Sequence, residues 1–83
     1  MKIKFELVDN DGEPLMIMDG HNYNPNIGED VMFCDVKNNI HIDELSKVIE
    51  KFYRIDEDTL TIECEIYNQP NDYGFSQFQK YNQ

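Results

Sequence analysis

The chain has 83 residues, with 17 acidic and 7 basic side chains and a formal net charge of −10. A surface this acidic repels nucleic acid and anionic membranes and attracts basic proteins or cations. The length allows one domain with a modest core, and the 40% apolar content falls in periodic groups, which argues against a disordered acidic tail.

The first segment alternates. Ile3, Phe5 and Leu7 point one way and Lys2, Lys4 and Glu6 the other, which predicts a half-buried strand. Asp9-Asn10-Asp11-Gly12 supplies turn residues that tolerate a positive φ, and Leu15–Met18 returns as a second strand, giving an N-terminal hairpin. Residues 19–28 are rich in Gly, Asn and Pro and read as a surface loop. Val31–Val36 predicts a third strand, closed by a turn at Lys37-Asn38-Asn39.

Leu45, Val48, Ile49 and Phe52 recur at helical spacing, so the sequence predicts a helix over 43–54. Asp43 and Glu44 would sit at its positive end and Lys51 and Arg54 at its negative end, with Glu50 and Arg54 paired one turn apart. Asp56-Glu57-Asp58 then forms an acidic loop. The last strand alternates strictly: Leu60, Ile62, Cys64 and Ile66 face inward, and Thr59, Thr61, Glu63, Glu65 and Tyr67 face outward. Residues 68–83 fit no period. They combine polar side chains with Tyr73, Phe75, Phe78 and Tyr81 and read as a tail or docking arm. The expected fold class is therefore α+β. It is a small, mainly antiparallel sheet in the order β-β-β-α-β with one helix packed on one face, in a single domain 1–67 followed by the tail 68–83.

Cofactor, metal and catalytic chemistry find no support in the motifs. Cys34 and Cys64 are too far apart for a CxxC site and read as free thiols in neighbouring strands. Cys64 between two glutamates is a poor nucleophile, because negative neighbours raise a thiol pKa. Asp9–Glu13 departs from a calcium loop, since Leu7 and Met18 stand where its first and last acids belong. His21 and His41 lack further ligands at metal spacing. No phosphate loop and no nucleophile–base pair is apparent, so the chain reads as a non-enzyme without cofactor.

The candidate partner-binding residues are Asp56, Glu57, Asp58, Glu63, Glu65 and Tyr67. Residues two apart on a strand are about 6.7 Å apart, near the spacing of nucleic-acid phosphates. The row could imitate DNA and occupy the basic groove of a nuclease, a DNA-binding protein or a defence effector, as a phage-encoded inhibitor would. A plainer reading has the first strand beside the last, with Lys2 and Lys4 neutralising Glu63 and Glu65. The alternative function is a structural or assembly protein acting as a homo-oligomer, in which charge only maintains solubility. The absence of Ala, the abundance of Asn, Ile and Lys, and the absence of a signal or membrane segment place the expected protein in the cytoplasm of a low-GC bacterial host.

Overall fold

The computed structural model describes residues 1–37 and 39–67; the expected tail at 68–83 lies outside the described residues. The chain forms β1 (Lys2–Val8), β2 (Pro14–Asp19), β3 (Asp30–Lys37), β4 (Ile40–Arg54) and β5 (Thr59–Ile66). All five join one sheet in the order β2-β1-β5-β4-β3. β1 and β5 run parallel, and the other three pairings are antiparallel.

Among the described residues the expected α+β class is corrected to an all-strand, mixed sheet, because the segment predicted as a helix is β4. Spacings of three and four do not exclude a strand once a bulge is present. Glu44, Ser46 and Val48 alternate inward with period two. The register then shifts between Val48 and Glu50, where Ile49 is the extra residue. Apolar side chains on both sides of that shift land at apparent helical positions. The local composition, with Val48, Ile49, Phe52 and Tyr53 in succession, favours a strand. The surface pair expected between Glu50 and Arg54 goes with the helix: Arg54 instead binds Asp56 at 3.0 Å and reaches Glu57 at 3.6 Å.

The core needs a lid, and with no helix among the described residues the sheet supplies its own. Strands lie about 4.8 Å apart, so in a flat sheet β1 and β3, three places apart, would stand about 14 Å from each other. The Phe5 and Phe33 rings instead meet edge to face with centroids 6.3 Å apart. The sheet is therefore curled into a half-barrel, closed on its concave side by Ile3, Phe5, Leu7, Val31, Phe33, Val48, Ile62, Cys64 and Ile66. The β2–β3 loop helps to seal it. Tyr23 stacks on Phe5 at 5.8 Å, and the N–H of Gly20 donates to the Ile3 carbonyl at 2.8 Å.

The hairpin, the third strand and the last strand form as expected, but Thr59 and Thr61, expected to face outward to solvent, are buried between β1 and β4. The Asp9 turn is closed by its own side chain: Asp9 Oδ1 accepts the N–H groups of Asp11 and Glu13, each at 2.9 Å. That carboxylate is engaged in building the turn, and among the described residues no three His, Cys, Asp or Glu side chains converge as a metal site. Among the described residues there is also no helix long and apolar enough to cross a membrane.

Candidate functional site

The register decides which acids stand together. Parallel pairing places Lys2 beside Thr59, Lys4 beside Thr61 and Glu6 beside Glu63. The lysines thus miss Glu63 and Glu65 by a whole step, and the neutralised face of the plainer reading does not form. On the other side of β5, antiparallel pairing places Glu50 beside Glu63. Glu6, Glu63 and Glu50 therefore stand abreast on three adjacent strands, on the convex face opposite the core. Successive members are about 4.8 Å apart in strand spacing. Among the described residues no lysine or arginine makes an ion pair with any of the three.

The electrostatics follow from that packing. Partial burial holds the Glu63 carboxyl above its ordinary range, and the charges of Glu50, Glu6 and Glu65 push it in the same direction. Exposed apolar side chains flank the row on the same face. Ile17 lies beside Glu6 in the β1–β2 register, and Phe52 is two residues beyond Glu50 along β4.

The other candidates have structural work. Arg54 holds Asp56 and Glu57. Asp58 adopts φ 48° at the end of the β4–β5 turn, accepts a hydrogen bond from the Tyr53 hydroxyl and pairs with the N-terminal ammonium at 3.4 Å. The Tyr53 hydroxyl and the N-terminal charge hold its carboxyl below the usual range. Glu65 faces Lys47 in the β4–β5 register. The Tyr67 hydroxyl donates to Asp30, the Lys47 ammonium stands 5.8 Å from its ring centroid, and its N–H donates to the Leu45 carbonyl at 3.4 Å. The structure thus joins Glu63 to Glu6 and Glu50, which sequence reasoning missed, and separates it from Asp56, Glu57 and Asp58. Glu6 was legible as outward-facing; Glu50 was hidden by the helical reading.

The thiols divide. β3 and β5 are separated by β4, so Cys34 and Cys64 are not on neighbouring strands, and both are free. Cys64 is fully buried, and burial, more than Glu63, pushes its thiol up to about 11. Cys34 is exposed, and hydrogen bonding to Asp43 is the main cause that raises it. One thiol should titrate with a disulfide reagent in the native protein at pH 8, more slowly than free cysteine, and the second only in denaturant. Two fast thiols in the native state would contradict the buried position of Cys64.

A cleft of about 340 Å³ opens between the edges β2 and β3, lined by Phe5, Met18, Tyr23, Val31 and Phe33. No family model, curated protein or solved structure matches this chain.

Proposed function

We propose that this is a non-enzymatic binding protein whose convex sheet face takes a basic protein surface, such as that of a nucleic-acid-binding protein or nuclease. The observation that carries the reading is the row Glu6–Glu63–Glu50. Three carboxylates abreast without a cation opposite repel one another, so the arrangement costs stability in the free protein at neutral pH and is relieved there by an external positive charge. Ile17 and Phe52 add apolar contact at its rim, and an aromatic ring beside carboxylates suits lysine or arginine. Glu63, of the residues expected from sequence, holds the centre. Glu65 lies one step along β5, Asp56, Glu57 and Asp58 contribute field rather than contact, and Tyr67 is engaged by Asp30 and Lys47.

The test is affinity capture from source-cell extract at about 50 mM and about 500 mM salt, with the captured protein then purified and titrated. A basic partner whose affinity falls at least about tenfold over that range is expected, since long-range attraction is screened within roughly 10 Å at 0.1 M salt. A partner held equally at both salt concentrations would remove the electrostatic account.

A further inference from the structure

The two free edges of the sheet are unequal. β2 is short and begins at Pro14, and the β1–β2 pairing is broken by an irregularity between Leu7 and Val8. Short length, proline and a bulge are the devices that keep an edge strand from pairing with another chain. β3 has none of them. It is eight residues long, Asp30-Val-Met-Phe-Cys-Asp-Val-Lys37, without proline, and its register with β4 is unbroken. Its outward side chains on the convex face are Met32, 52% exposed, Cys34 and Val36, 66% exposed, and the partly exposed Leu45 stands beside Met32 on β4.

Which backbone groups are free follows from alternation along an antiparallel pair. The Val48 N–H donates to the Glu29 carbonyl at 2.9 Å, and the Ser46 hydroxyl donates to the Val31 carbonyl at 2.8 Å. Residue 29 thus turns its C=O, and residue 31, and with it 33 and 35, both its N–H and C=O groups, toward β4. Asp30, Met32, Cys34 and Val36 turn theirs toward the open edge. The Val36 N–H is already taken by Asp35 Oδ1 at 2.8 Å, which leaves Asp30, Met32 and Cys34 as the run without a partner strand among the described residues.

We propose that a second copy of this chain pairs with the β3 edge, antiparallel about a two-fold axis at Met32. This register places Met32 opposite Met32 of the other copy, Asp30 opposite Cys34, and Val31 opposite Phe33. All three free residues in each copy exchange hydrogen bonds and the Asp35–Val36 contact is preserved; no carboxylate faces another within residues 30–34, and the like-charged pair Glu29 and Asp35 falls just outside the exchanged run. Met32 and Leu45 from the two copies then form one apolar strip across the axis. A registry that faced Asp30 with Asp30 would set like charges opposite each other; this one avoids it. The surface is separate from the Glu6–Glu63–Glu50 row, which spans β1, β5 and the far half of β4, beyond the bulge from Leu45.

Both copies carry a charge of −10, so screening should strengthen their association. That is the opposite of the salt effect expected for a basic partner, and it keeps the two ideas separable. The experiment is sedimentation of the full chain from about 5 to about 500 μM at low and high salt. A concentration-dependent dimer, favoured by salt, is expected. Met32→Lys, at an exposed site, should weaken it at least about tenfold while leaving the circular dichroism spectrum and melting temperature near wild type. Ile17→Lys on β2 should leave the dimer unchanged. In a Cys34→Ser background, Met32→Cys should oxidise to a covalent dimer. Opposed hydrogen-bonded residues have Cα atoms about 5.5 Å apart, within disulfide reach. A monomer throughout the concentration range, or a dimer that survives Met32→Lys, would overturn the proposal.

Discussion

Gly20→Ala is expected to destabilise the fold by about 3 kcal/mol and lower the melting temperature by about 12–24 °C, measured by thermal and urea unfolding. The loop after β2 crosses the end of the half-barrel at this residue, and its backbone lies directly on the core. A Cβ at Gly20 would overlap the Phe5 ring and come within 3.0 Å of Ile3 Cγ2. Phe5 has little room to yield. Its ring is stacked by Tyr23 on one side and met by Phe33 on another. Moving Gly20 instead would break its hydrogen bond to the Ile3 carbonyl. An 83-residue domain has a total stability of about 4–12 kcal/mol, so the loss is a large fraction of it. Gly12→Ala separates this effect from backbone strain. Gly12 has φ 85° with nothing within 4 Å of a built Cβ, so its cost should be only about 1 kcal/mol. If the clash with Phe5 is the cause, Phe5→Leu should be less harmful in the Gly20→Ala background than alone. Equal losses at Gly20 and Gly12 would mean that close approach to the core is unimportant.

The sequence made β1 and β5 readable because each keeps period two, and β2 and β3 readable as short apolar runs bounded by turn residues. Ile3, Phe5 and Leu7, and likewise Ile62, Cys64 and Ile66, face the core as that alternation requires. β4 was unreadable for a local reason. The bulge at Ile49 shifts the phase in mid-strand, so no single period of two spans Ile40–Arg54, while Leu45, Val48, Ile49 and Phe52 satisfy a helix by coincidence. From that one misreading followed the α+β expectation and the assignment of Arg54 to Glu50. Arg54 in fact crosses the turn to Asp56 and Glu57, which removes those acids from the free charge. The pairing of β1 with β5 is a long-range event, and alternation cannot say which strands become neighbours or in which direction. Hence Glu63 and Glu65 could be placed outward from sequence, but not Glu63 between Glu6 and Glu50. A slip of one residue between β1 and β5 would have placed Phe5 or Leu7 beside Glu63 instead of Glu6.

The triple variant Glu6→Gln, Glu50→Gln, Glu63→Gln is expected to lose basic-partner binding by about a hundredfold while gaining stability at neutral pH. The two effects have one cause. Like charges directly opposed across strands destabilise by about 0.2–1 kcal/mol per pair, and Glu63 is opposed on both sides, so neutral amides should add about 0.5–2 kcal/mol. The sign of the pH dependence is fixed by the direction of the Glu63 shift. A carboxyl held above its ordinary 4.5 binds a proton more readily in the folded chain than in the unfolded one. Its favourable contribution is therefore complete below about pH 4.5 and is lost as pH rises through the folded value. Variant and wild type should converge in stability under acid conditions and diverge toward pH 7, with the variant more stable. Asp58 acts oppositely: its lowered pKa gives stability above 3.8 that disappears as pH falls, and it does so equally in both proteins. The difference curve between the two unfolding titrations thus isolates the glutamate row. A variant less stable than wild type at pH 7 would show that the three carboxylates support the sheet. A more stable variant that binds the basic partner as tightly as before would show that their repulsion serves some other purpose than recognition.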